Sequence, residues 1–290
     1  MYTSILTRMK EDLQLHGLSV NTQMAYLYRA KKLIEYFNKP PEEITNEELR
    51  VYFLYLKKEK KYARSTETIV LCGIKFLFEK TLDKKLNMLT IVRSPYRHKL
   101  PVVLSREEVK SVLKNIRLIR ARACLTLIYS CGLRMQEAIS LKVKHIDSKR
   151  MLLHIQKAKS GWDRYVPLPE NTLKLLRLYY KTHRNTLLVF PTPYRGSVIE
   201  SSSTKHISSM SIQRVFKRSL REIGINKEAS IHTLRHSYAT HLLEEGTDIR
   251  IIKEYLGHKF ISTTMIYTHL TPLLKNGVSE KINNLMADLY

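Results

Sequence analysis

Between His232 and Tyr267 the chain gathers several imidazoles, a guanidinium and a phenol: His232-Thr-Leu-Arg235-His236, then Leu256-Gly-His258, then Ser262-Thr-Thr-Met-Ile-Tyr267. Such a set suits phosphoryl transfer without a metal. A guanidinium offers a fixed fork of donors matched to a phosphate oxyanion, an imidazole exchanges a proton near neutrality, and a phenolic oxygen can attack phosphorus. His232 and Arg235, three apart, share a helix face and can converge on one phosphate, whereas His236 is expected to point elsewhere. His232 and His236 also have the spacing of a zinc-binding helix, but Thr233 stands where such a helix carries its general-base Glu. No metal and no other cofactor is expected. Tyr267 follows His258 by nine residues, early in a helix that opens at Ser262, where the same pattern also fits amphipathic packing. Tyr238 and Tyr255 read as scaffold.

Composition indicates what carries the phosphate. Fifty Lys and Arg face 26 Asp and Glu, a formal charge of +24, which favours a polyanionic partner through counterion release. Residues 1–90 hold 16 basic and 11 acidic side chains, net +5, and residues 91–290 hold 34 and 15, net +19. Nucleic acid is the expected partner. The longest apolar stretch, Ala121 to Leu133, is interrupted by Arg122, Ser130 and Gly132 and is too short to cross a bilayer. The N-terminus turns charged before a signal-type apolar region develops, so a cytoplasmic location is expected. Cys72, Cys124 and Cys131 are odd in number and lack paired spacing, which argues for reduced thiols in apolar surroundings.

These residues need elements to hold them. Four helices are expected before residue 90: Ser4–Leu15, Val20–Phe37, Asn46–Lys61 and Ser65–Leu82. In the second, Met24, Leu27, Ala30, Leu33, Ile34 and Phe37 form one apolar stripe. Thr45 and Glu48 have capping-box spacing, as do Ser105 and Glu108. Residues 91–101 carry two prolines among Arg93, Arg97 and Lys99, the last next to Leu100, and read as a basic linker able to track a phosphate backbone. Further on, Leu141–Ile146, Met151–Ile155 and Arg164–Leu168 alternate or are β-branched, predicting a three-stranded antiparallel sheet. Helices resume at Asn171–Thr182. The fold class expected is mainly α with a small antiparallel sheet, in a helical domain over 1–90 and an α+β domain over 102–290.

The run from Leu234-Arg235-His-Ser-Tyr through Leu256-Gly-His258 to Thr-Thr-Met-Ile-Tyr267 resembles the signature of the tyrosine recombinase, or phage integrase, family, in its Xer-like branch. Ser130-Cys-Gly-Leu-Arg134-Met-Gln-Glu137-Ala is a second family element in the expected order, and Leu18-Ser-Val-Asn-Thr22 resembles the family's helical, SAM-like core-binding domain. Read alone, Arg134 is a surface cation paired with Glu137. The resemblance implies that Arg134 and Arg235 hold the scissile phosphate, supported by Glu137, that His258 hydrogen-bonds a phosphate oxygen, and that His232 contacts phosphate and accepts the nucleophile's proton. It makes Tyr267 the nucleophile and Lys159 the general acid. The family usually flanks that lysine with glycines, whereas Ala158 and Ser160 stand here, and Lys157 remains a competitor. Lys157 and Arg164, with the linker cations, are candidates for DNA-backbone contact.

The implied reaction is metal- and ATP-independent, passing through a 3′-phosphotyrosyl bond and a Holliday junction formed by four protomers on two sites. Dimer resolution, integration and transposition all fit. A type IB topoisomerase-like enzyme that only relaxes DNA, or a non-catalytic DNA-binding protein, is the alternative. Ile282, Leu285, Met286 and Leu289 form a stripe on a short terminal helix that cannot bury itself alone, and that docks on its own domain or on a neighbouring protomer.

Overall fold

The computed structural model describes residues 3–84, 86, 100–156, 163–193 and 200–270. The chain divides into two units, Met1–His98 and Lys99–Tyr290.

In the first unit, α1 (Thr3–Leu15), α2 (Val20–Phe37), α3 (Asn46–Lys58) and α4 (Arg64–Phe76) surround an apolar core. The ends follow from local chemistry. Ser19 caps α2, and Asn38 closes it in the left-handed region. The reciprocal Thr45–Glu48 box opens α3. That helix stops at Lys58 rather than Lys61, because Lys61 takes a positive φ of 46° and turns the chain. The fourth helix widens into a π turn over Leu77–Thr81, which carries Leu77 and Phe78 into the core.

In the second unit, α5 (Arg106–Asn115) opens at the Ser105–Glu108 box and is followed by α6 (Ile119–Ser130), buried along much of its length, and the short α7 (Met135–Ile139). A three-stranded antiparallel sheet follows in the order β1 (Ile146–Asp147), β2 (Leu152–Ile155), β3 (Arg164–Pro167), with Leu153 opposite Ile146 and Val166. The first strand expected, Leu141–Ile146, is not one. Lys142 forms an isolated bridge to Leu188, Val143–His145 make a 3-10 turn, and only Ile146 enters the sheet. The competing partner lies some forty-five residues downstream, where local alternation gives no sign of it. Met151 sits at φ 55° in the turn before β2 and is not part of the strand.

Next come α8 (Glu170–His183), α9 (Ser209–Glu222), α10 (Ile231–Glu244), α11 (Ile249–Leu256) and α12 (Ser262–Met265), which runs into a 3-10 turn over Ile266–Leu270. One core joins α5, α6, β2, β3, α8 and α9, and a smaller one joins α10, α11 and Tyr267. Cys124 and Cys131 are buried, Cys72 is half-buried, and none forms a disulfide. Among the described residues no helix is long and apolar enough to cross a membrane. The stripe from Ile282 to Leu289 lies outside the described residues.

Candidate active site

The site forms where α7, α10 and α11 end or begin near one another. Gly132 makes the turn from α6 into α7 at φ 60°, and a Cβ there would meet the Tyr238 ring at 2.5 Å. Only glycine satisfies both the left-handed backbone and that approach. The turn places Arg134 at the N-cap of α7, where Glu137 accepts from the Arg134 backbone N–H and from its guanidinium, each at 2.8 Å.

Glu137 serves three arginines. Arg164 donates to it twice, at 2.8 and 3.1 Å, and Nη1 of Arg235 lies 3.8 Å away. Burial alone would raise its pKa, but Arg164 and then Arg134 outweigh that and hold the carboxyl at about 2. Arg235, 3% exposed, is pushed down to about 9 by burial and by neighbouring Arg134, still a cation at neutral pH.

The C-terminal end of α11 completes the cradle. Its last carbonyls lack partners within the helix and carry the negative end of its dipole, so they attract cations. Tyr255 O accepts from Arg164 Nε at 2.8 Å, Leu256 O from Arg235 Nη2 at 2.5 Å, and Gly257 O from Arg134 Nη2 at 3.2 Å. Arg235 also donates to Gly132 O at 2.7 Å. Gly257 caps the helix at φ 62°, and a Cβ there would press on the Arg164 guanidinium at 3.0 Å.

Next in the chain, the half-buried His258 bonds Thr264 Oγ1 through Nδ1 at 2.9 Å; burial, followed by Arg235 and Arg134, pushes its pKa down to about 3, so its imidazole is neutral. His232 is exposed in the first turn of α10, at the edge of a cleft of about 320 Å³ lined also by Gln136, Gln213, Lys217 and Ser230. Tyr267 lies in the 3-10 turn that follows α12, a helix of only four residues. Its ring packs with Ala239, Leu243, Ile252 and Leu256 and is 1% exposed, more deeply buried than an amphipathic position suggests. Burial raises the phenol's pKa, while Arg235 and Arg134 draw it down.

Two residues differ from expectation. His236 does not point elsewhere: its Nδ1 lies 2.9 Å from the Tyr267 hydroxyl, and its ring centroid lies 6.2 Å from that of His232. One helical turn separates the two histidines, so they share a face, a relation that their spacing of four already contained. Arg164, expected on the DNA backbone, is 7% exposed and spends its guanidinium on Glu137 and Tyr255. A period-2 strand pattern does place it on the inner face, with Val166, but its cationic character argued for the surface. Lys157 and Lys159 fall between β2 and β3 in the sequence, and Arg93, Arg97 and Lys99 in the stretch expected as a linker. All five lie outside the described residues.

Sequence comparison agrees with this architecture. Residues 102–273 match the phage integrase family and residues 5–88 match the phage integrase N-terminal SAM-like domain. The chain belongs to the phage integrase family and is a site-specific tyrosine recombinase that acts on DNA, breaking and rejoining its strands. A Sinorhizobium fredii protein provisionally named an integrase/recombinase is 34% identical over 92% of this chain and 85% of its own length. The tyrosine recombinase XerA of Pyrococcus furiosus is 32% identical over 98% and 95% respectively. Among solved structures, a XerA recombinase shares 25% identity at a TM-score of 0.53, covering 96% of this chain and 98% of its own. XerH bound to difH in a post-cleavage complex shares the fold at a TM-score of 0.71 and 22% identity, over 91% and 80%.

Proposed function

We propose that Arg134, Arg235 and His258 bind the non-bridging oxygens of the scissile phosphate, that His232 contacts the same phosphate from its exposed side, and that Tyr267 attacks phosphorus. The product is a 3′-phosphotyrosyl bond and a free 5′ hydroxyl, the latter protonated by Lys159. The observation that carries this reading is the convergence of two guanidiniums, a neutral imidazole and a phenol from three separate chain segments. Burying Arg235 is costly, and fixed donors that wait for developing negative charge are what that cost provides. Glu137 and Arg164 hold the guanidiniums in place rather than meeting the DNA.

The energy of the phosphodiester is retained in the tyrosyl linkage, so rejoining needs neither ATP nor a divalent ion. Four protomers on two sites would exchange one strand pair and then the other through a Holliday junction, with the C-terminal helix passed to a neighbour. In support, a lambda integrase of the same fold has been solved as a dimer bound to a core site. The N-terminal unit, with residues 91–101 as linker, would act as a DNA clamp.

The test begins by selecting bound duplexes from a random-sequence pool. A nicked suicide form of the selected site is then incubated with the chain in EDTA. The wild type is expected to give an SDS-resistant adduct and Tyr267→Phe none; an equal yield from the Phe variant overturns the assignment. Two labelled sites then separate exchange from relaxation, because a topoisomerase-like enzyme returns only parental linkages.

A further inference from the structure

Attack by Tyr267 requires its O–H to break, and a base must lie within hydrogen-bond reach of that oxygen. His236 does: Nδ1 stands 2.9 Å from Oη. His258 bonds Thr264 through its Nδ1 instead, and His232, one turn back on α10, is exposed at the edge of a cleft. Resting on the reading of Tyr267 as nucleophile, we propose that His236 is a catalytic residue, the base that accepts the Tyr267 proton in strand cleavage and returns it in rejoining.

The proposed step requires one tautomer of His236. A phenol raised by burial keeps its proton and donates, so Nδ1 accepts and the imidazole proton sits on Nε2. In cleavage the Oη–H bond breaks and the proton moves to Nδ1 as the Oη–P bond forms. The P–O5′ bond breaks, and the departing oxygen takes a separate proton from the general acid. Rejoining reverses each transfer, and no oxidant or further reactant is needed.

The surroundings suit a base that is free at rest. His232 and Arg235 face His236 from its own helix, His258 from the cap of α11, and Tyr267 from the 3-10 turn. Burial, then His232 and Arg235, push its pKa down to about 4, so the imidazole is neutral and able to accept throughout the neutral range. An incoming phosphodiester brings a negative charge beside Arg235 and favours the imidazolium that forms as the bond is made.

The experiment measures single-turnover adduct formation on the nicked site across pH 6 to 10. It compares wild type, His236→Asn and His236→Gln, with Tyr267→Phe alongside. The amides can still accept a hydrogen bond but cannot take the proton. Loss of about 100-fold is expected at pH 7, shrinking as pH rises and tyrosinate forms unaided. Replacing Tyr267 in His236→Asn with a more acidic fluorinated tyrosine should restore much of the rate. Wild-type rates in both amide variants, or a deficit that stays constant with pH and is not relieved by the fluorinated ring, overturn the proposal. If Asn impairs site binding, the profile is read on Gln. Absence of adduct from the wild type instead overturns the reading of Tyr267 itself.

Discussion

The two units handle charge in opposite ways. In the N-terminal unit the ion pairs lie on the outside, as in Lys32–Glu35 and Arg50–Glu47, and among its described residues no charged side chain is buried. In the C-terminal unit Arg164 and Arg235 are buried around the largely buried Glu137, with Arg134 close by. The first unit rests on an amphipathic pattern and on local caps and ion pairs at its surface. The second gives up part of that stability to keep cations dry. Charge in the interior therefore marks the unit that does chemistry, and the overall net charge does not.

The comparison is put under most strain at Glu137. Glu137→Ala leaves three guanidiniums facing one another without a counter-charge, and is expected to cost about 3 to 5 kcal/mol of stability, read from denaturant unfolding of the full chain. A loss no larger than that of a surface ion pair would mean that the α11 carbonyls alone compensate the cations. Gly132→Ala tests the backbone that sets Arg134. The added Cβ meets the Tyr238 ring at 2.5 Å with φ at 60°, so a cost of roughly 2 to 3 kcal/mol is expected, along with weaker adduct formation.

Acid should separate the units without any substitution. His236 and His258 have folded pKa values near 4 and 3, below the ordinary 6.5. The unfolded chain therefore binds more protons, and the stability present above pH 6.5 is lost as pH falls toward those folded values. Glu137, held near 2, adds its own loss only below 4.5. Melting followed between pH 6.5 and 4.5 should thus show the C-terminal unit weakening first; a transition that does not move in this window contradicts the buried neutral imidazoles. The smallest effect belongs to the N-terminal unit, where Thr45→Ala removes one half of a capping box and should cost about 1 kcal/mol, with adduct chemistry unchanged.

The same contrast explains how much could be read from the chain beforehand. The helices of the first unit were legible because an apolar stripe repeats at helical spacing and Ser, Thr and Glu mark the caps; Val20–Phe37 and the start at Asn46 are as the pattern predicts. Sites held by long-range pairing were less legible. Leu141–Ile146 alternates like a strand, but Leu141 and Val143 hydrogen-bond to Val189 and Leu187 instead of to the sheet. Arg164 has the composition of a surface cation, and only the fold shows the carboxylate that receives it. Along α10, His236 lies one step from Arg235 and so on a different face from it; the turn that carries Tyr267 back to α10 depends on Gly257 and on a four-residue helix, neither of which imposes a period.

Tyr255, Leu256 and Gly257 are consecutive, and each anchors a different arginine. Those three side chains therefore share one hinge point, a single helical turn whose melting would scatter them together. The three cations of the cradle are thereby coupled through one short stretch of backbone, and a change in that turn reaches all of them at once.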